Sequence, residues 1–252
     1  MNIWLYALVS VFIVSFVSFS GLVGLSFTRN FLQKITLLLV ALAVGALLGD
    51  VFIHLLPEIF AEQGSTLASS LYIIVGILLF FLIEKIIRWR HSPSITQHSQ
   101  GTHSHHVGPM NLIADGTHNF IDGVLIGVSY MVSLPIGIAT TIAVILHEIP
   151  TEIGDFGVLL HAGYSTKKAL WYNFLSALAA VLGTILALSI GPSIGSFTAA
   201  VLPITAGGFL YIAGSDLIPE LHREINLKHT LLQFLAILVG IGVMVALLYL
   251  PA

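Results

Sequence analysis

Cysteine is absent from the 252-residue chain. That excludes disulfides, thiolate metal sites and cysteine nucleophiles, and it leaves the redox compartment unread. Charge is scarce as well: only 8% of residues are Asp, Glu, Lys or Arg, against about 25% in a soluble domain. The N-terminal run MNIWLYALVS has no basic leader and no small-residue cleavage site, so it reads as a retained helix rather than a signal peptide. What remains is apolar. Hydrophobic residues make up 57% of the chain and mean hydropathy is +1.01, so the sequence predicts an integral membrane protein. The net charge of −3 says little, because membrane placement follows where Lys and Arg sit.

A spanning helix needs about 20 apolar residues. The sequence divides into eight such stretches, roughly 3–27, 35–58, 67–89, 109–131, 134–162, 168–190, 197–221 and 230–250. The expected fold is all-α: one polytopic transmembrane domain covering 1–252. A soluble helical bundle is disfavoured, because runs such as 73–83 and 231–250 have no polar face. The basic residues test the layout. Arg29, Lys34, Lys85, Arg88, Arg90, Lys167, Lys168, Arg223 and Lys228 all fall in or beside connections 1–2, 3–4, 5–6 and 7–8. That asymmetry predicts basic connections in the cytoplasm and both termini outside, in a cell (inner or plasma) membrane.

The one long connection, 90–108, is polar and carries His91, His98, His103, His105 and His106. Imidazoles suit zinc and its neighbours, so a weak metal-collecting role is one reading. A low-complexity linker that tolerates histidine is the other. The chain also echoes itself. Residues 43–58, AVGALLGDVFIHLLPE, match 205–220, TAGGFLYIAGSDLIPE, at Gly45/Gly207, Leu48/Leu210, Leu55/Leu217, Pro57/Pro219 and Glu58/Glu220. With helix 2 running outward and helix 7 inward, this predicts a 3+2+3 plan in which helices 1–3 and 6–8 are inverted repeats around helices 4 and 5. Shared helix-end grammar is the competing explanation of the echo.

Helices 4 and 5 hold the costly side chains. NLIADGTHNFIDG supplies His118, Asn119 and Asp122, and HEIPTEIGDF supplies His147, Glu148, Thr151, Glu152 and Asp155. Intramembrane ionisable groups mark an ion or proton path by default. His118/Asp122, His147/Thr151, Glu148/Glu152 and Thr151/Asp155 are each one turn apart on a common face. His118 lies 14 residues before Val132 and His147 lies 14 after Ser133, so an antiparallel hairpin sets the two imidazoles at one depth near mid-membrane. Imidazole plus carboxylate suits zinc, iron, manganese, cobalt or cadmium better than sodium or potassium. Without thiolate the ligation is weak and exchangeable, as conduction requires. Pro150 frees the carbonyl of Leu146 at this level. The bland alternative is that these groups only hydrogen-bond helix 4 to helix 5.

HNFIDG at 118–123 and HEIPTEIGD at 147–155 resemble the signature of the ZIP (Zrt/Irt-like) family of divalent metal transporters, in the branch with HNFxDG and HExPHExGD. GALLGDVFIHLLPE in helix 2 and DLIPEL in helix 7 are similar to the family too, and the resemblance covers essentially the whole chain. It implies a transport site between helices 4 and 5, often binuclear, with import toward the cytoplasm. His118, Asp122 and His147 would bind the primary ion. Asn119 and Glu148 would bind a second, and Glu152 is expected among the metal-site residues. Thr151 replaces the histidine of that branch and is a poor ligand. Glu152, one residue on, points about 100° away. Asn173, in WYNFLSA of helix 6, is carried over weakly.

Auxiliary or exit-path roles are expected for Asp155, Asp115, Asp50, His54 and Asp216. Asp50 and His54 form another i, i+4 pair, and Asp216 matches His54 in the repeat register. For Asp50, His54 and Asp216, bracing of helix 2 against helix 7 is the equal alternative. The expected partners are divalent metal ions and the lipid bilayer, with a homodimer allowed and no nucleic acid. Zinc or a related ion enters as cargo, with no cofactor, and the protein is not read as an enzyme. Two rivals stand: an intramembrane zinc hydrolase or protease, invited by His147-Glu148 but lacking the second histidine of HExxH, and a nonconducting metal sensor.

Overall fold

In the computed structural model the described residues are 2–25, 28–91, 104–193 and 196–249. Among them the chain forms eight helical rods and no strand. We number the rods in chain order. Rod α1 is Ile3–Phe16, continued through a 3₁₀ turn (Val17–Ser20) into Gly21–Leu25. Rod α2 is Arg29–Gly49, then a π turn (Asp50–Leu55) and Leu56–Gln63. Rods α3 (Leu67–His91), α4 (Ser104–Val132) and α5 (Leu134–His161) follow. Rod α6 is Thr166–Ala177 plus Ala179–Ile190; α7 is Phe197–Tyr211, a π turn (Ile212–Leu217) and Ile218–Leu221; α8 is Leu227–Leu247.

Seven rods are long and apolar enough to cross a membrane. The exception is α4, whose apolar run is interrupted by Asp115, His118, Asn119 and Asp122. Of the eight crossings expected, seven meet the length and hydropathy of a span among the described residues. Several ends also differ from expectation. Rod α2 begins at Arg29 and ends at Gln63, where 35–58 was expected, and α4 begins at Ser104 rather than 109. For α4 the residue at issue is Pro109. Proline is most at home in the first turn of a helix, yet here it sits inside one. His105 and His106 thus belong to the backbone of α4 and His91 closes α3, while His98 and His103 lie outside the described residues.

The two halves share their irregularities. A spacing of 162 residues carries the π turn of α2 onto the π turn of α7. It also carries Phe16, where α1 gives way to its 3₁₀ turn, onto Leu178, where α6 is interrupted. The hydroxyl of Ser15 donates to the carbonyl of Ala177, its own repeat mate, at 2.9 Å. Helix crossings are mated too. A Cβ on Gly45 of α2 would lie 2.1 Å from the Ile237 carbonyl oxygen of α8, and one on Gly207 of α7 would lie 2.1 Å from the Ile73 carbonyl oxygen of α3. Only glycine permits such close backbone approach. Five sequence identities alone could be chance, but matched breaks and matched crossings are not explained by helix-end grammar.

Packing sorts the rods into two groups. Rods α1, α4, α5 and α6 contact one another; α8 packs on α2, α3 packs on α7, and α2 meets α7; the groups meet mainly where α2 and α7 face α5 and α4. One side-chain bond across that seam is Thr140 of α5 donating to Asp50 Oδ2 of α2 at 3.1 Å, both residues fully buried. Losing that donor leaves a buried carboxylate unpaired, so Thr140→Val is expected to destabilise the fold by about 1–3 kcal/mol. Melting in detergent reads this out, with Thr140→Ser near wild type. Equal losses in both variants would assign the effect to packing instead of the bond.

Candidate metal site and its cavity

Four donor atoms converge between α4 and α5. His118 Nε2 lies 3.4 Å from His147 Nε2, 3.7 Å from Asp122 Oδ2 and 3.3 Å from Glu148 Oε1. His147 Nε2 lies 3.1 Å from Asp122 Oδ2 and 3.4 Å from Glu148 Oε1. Ligands about 2.0–2.1 Å from a tetrahedral zinc are about 3.3–3.4 Å apart. The five distances, 3.1 to 3.7 Å, are therefore the edges of a small coordination polyhedron. His147 Nδ1 donates to the Ala143 carbonyl at 3.1 Å, which holds the ring with Nε2 turned into the cluster, where a bound metal would take its lone pair. Asp122, His147 and Glu148 are almost completely buried; His118 is the half-open member. Asp122 Oδ1 and both Glu148 oxygens are buried without a hydrogen-bond partner.

Not every expected ligand joins this group. Asn119 is turned toward Asp115, donating to its Oδ1 at 2.8 Å and to its backbone carbonyl at 3.2 Å. Glu152 looks away from His118 and His147, as its 100° step requires. It meets Asp115 and Glu148 instead, and the three carboxylates bring oxygens within 4.8 Å of one another. The two groups share Glu148. Asn173 of α6 donates to Glu152 Oε2, and Ser176 of α6 donates to Asp115 Oδ2. So Asn173, carried weakly from sequence, lies beside the acids, while Ser176 was missed. Its hydroxyl has no signature in a helix read by hydropathy.

Thr151 stands on the cavity wall one turn from His147 and donates its hydroxyl to the His147 carbonyl at 2.9 Å. Proline at 150 and threonine at 151 thus reshape the carbonyl ladder beside the cluster. Asp50 and His54 do not form the expected pair. The π turn that contains both widens the helix by a residue, so Asp50 faces Thr140 of α5 while His54 Nε2 contacts the Met244 carbonyl of α8 at 3.0 Å. Neither reaches the cluster.

A cavity of about 390 Å³ runs from His118, His147 and Thr151 past Asp115, Asn111, Asp155 and Asp216. These positions lie on the halves of α4, α5 and α7 nearest the basic connections. Asp155 accepts from Asn111 Nδ2 at 3.1 Å, one turn nearer the basic end than Asp115. Glu84 of α3 and Tyr211 of α7 complete the wall, the phenol donating to Glu84 Oε2 at 2.5 Å. Sequence reasoning passed over Asn111, Glu84 and Tyr211. Asn111 was findable, one turn before Asp115 on the stripe that continues to Asp122; the other two come from helices with no visible tie to the site. On the far side of the cluster the space is filled by Leu125, Val128, Ala143, Val144, Leu202, Ala206 and Phe209, all buried. The Phe209 ring stands edge-on to His147, centroids 6.4 Å apart.

Comparison with known proteins agrees with this architecture. The family model described as "ZIP Zinc transporter" matches residues 1–109 and 94–248. "Zinc transporter ZIP13" of Pongo abelii is 39% identical over 221 residues, covering 82% of this chain and 65% of that protein. The Danio rerio protein of the same name is 35% identical, covering 84% and 75%. "Zinc transporter SLC39A7" of Homo sapiens is 30% identical, covering 99% and 72%. The chain thus spans about two thirds to three quarters of the length of these relatives. On a family match that runs nearly end to end, the chain belongs to the ZIP zinc transporter family.

Proposed function

We propose that the protein carries divalent transition-metal ions, zinc first among them, across a membrane toward the cytoplasm. The observation that carries this reading is the set of five donor distances, whose lengths fit a zinc polyhedron of His118, His147, Asp122 and Glu148. Two imidazoles and two carboxylates without thiolate bind such ions and release them. A second ion beside the first would use Glu148 together with Asp115 and Glu152, with Asn119 positioning Asp115.

The positive-inside asymmetry supports cytoplasmic placement of the basic connections, with both termini outside, in the plasma or inner membrane. On that orientation the cavity of Asp115, Asn111, Asp155 and Asp216 is the cytoplasmic exit, and the apolar layer around Phe209 closes the outer side. Alternating access then moves the group of α1, α4, α5 and α6 against that of α2, α3, α7 and α8. The sequence reading set helices 4 and 5 apart, between the two repeats; the packing favours their moving with α1 and α6. A hydrolase has no support: Thr151 stands where HExxH needs its second histidine, and the relatives are named transporters.

The test is zinc uptake into proteoliposomes against protein-free vesicles. Folded protein that moves no divalent metal would overturn the reading. Ligands bind only when deprotonated, so uptake is expected to hold above the imidazole range and to fall as pH drops through about 6.5. A rate flat from about pH 7.5 to 5.5 would remove histidine ligation from the rate-determining step.

A further inference from the structure

At the basic end, far from the cavity, the first turns of α2 and α8 enclose a separate hollow of about 140 Å³. Its walls are Leu37 and Leu38 of α2 and Leu232 of α8. Its polar lining is Lys34, Gln233 and the pair His229–Glu224. Gln233 is 5% exposed, and its Nε2 is fully buried with no acceptor. A buried amide without a partner is costly in an apolar setting, more so in a rod whose outer face presents Leu231, Leu235 and Leu238.

The one carboxylate of the hollow is already engaged. Glu224 accepts from the Asn226 backbone N–H at 2.8 Å and from His229 Nδ1 at 2.9 Å. The Asn226 bond first, then His229, hold its carboxyl below the usual range. Lys34 has no ion-pair partner among the described residues, so its ammonium is left to an incoming acceptor. Depth adds a further constraint. Lys34 lies five residues into α2 and Gln233 six into α8, about 7.5 and 9 Å from the helix starts. The apolar spans of these rods begin at Phe31 and Leu227, so both side chains lie within the first two turns of a span, at its basic end.

We propose that this hollow binds the phosphate of an anionic phospholipid, with Lys34 and the Gln233 amide as donors and the acyl chains lying on Leu232 and its neighbours. An ammonium and an amide donor suit phosphate oxygens, and anionic lipids are concentrated in the cytoplasmic leaflet. The volume admits a phosphate but not the chains, which distinguishes a headgroup seat from a hydrophobic ligand pocket. The site lies outside the transport path and does not depend on which metal is carried.

The test places the full chain in nanodiscs of phosphatidylcholine, with and without phosphatidylglycerol. Melting temperature and retained lipid, by native mass spectrometry, are the readouts. Phosphatidylglycerol is expected to raise the wild-type melting temperature by about 3–5 °C and to stay bound after partial delipidation. Lys34→Gln and Gln233→Leu should each lose that gain while melting like wild type in phosphatidylcholine alone. Lys34 is exposed, so its replacement does not threaten the fold. A gain that persists in both variants would overturn the proposal, and so would the same gain from inorganic phosphate added to phosphatidylcholine discs.

Discussion

Zinc uptake by His147→Ala is expected to fall at least about 100-fold relative to wild type in the same proteoliposomes. His147 supplies three of the five close donor contacts, to His118, Asp122 and Glu148, and is 1% exposed. Changes to groups that merely orient a ligand cost about 10–100-fold in affinity or activity, so removal of the ligand itself belongs at or beyond the upper end. The loss should appear with every metal the wild type carries. The substitution also opens space beside Phe209, so folding is checked by size-exclusion profile and melting. Wild-type uptake by a well-folded His147→Ala protein would show that the cluster is not on the transport path. Asn119→Ala is a useful contrast. Asn119 spends its amide on Asp115 and makes none of the five close donor contacts, so it should lose less.

Thr151→His is expected to tighten zinc binding about tenfold, which is about 1.4 kcal/mol, and to slow turnover. The position lies one turn from His147 on the cavity wall, so an imidazole there adds a fifth donor to a metal that accepts four or five. A tighter site releases its ion less readily, and conduction needs release. Competition with a zinc chelator measures affinity, and initial uptake rates measure turnover. Unchanged affinity for zinc, iron, manganese and cadmium would mean that an imidazole at 151 does not reach the cluster. A neutral hydroxyl at this position, already engaged with the His147 carbonyl, leaves the present site with fewer strong donors, and its metal preference should be correspondingly broad.

Much of this architecture was legible before any coordinates. Hydropathy located the apolar rods, and the nine basic residues sorted the connections into two sides. Counting 14 residues from the α4–α5 turn placed His118 and His147 at one level, where their Nε2 atoms stand 3.4 Å apart. What was not legible has a common physical origin. A pattern argument assumes one period along a helix, and this chain departs from it. At Asp50–Leu55 the π turn separates a pair that ideal geometry stacks. At 109 a proline inside a helix looks like the start of one. Glu152 obeyed the ideal period, but its destination, the carboxylates of Asp115 and Glu148, depended on how α4 and α5 turn toward each other. Glu84 and Tyr211 reach the cavity only because α3 and α7 cross at Gly76 and Gly207.

The paired π turns bear on ancestry as well as on shape. A π turn is an α-helix that holds one residue too many, the mark left by a single-residue insertion. Two independent insertions at equivalent positions of α2 and α7 would be a coincidence of place as well as of kind. One segment that gained its extra residue first and was copied afterwards would leave the present arrangement: the same surplus in each half, facing different neighbours. In α2 it falls beside Asp50, at the seam between the two helix groups, and in α7 it falls beside Asp216, on the wall of the cavity.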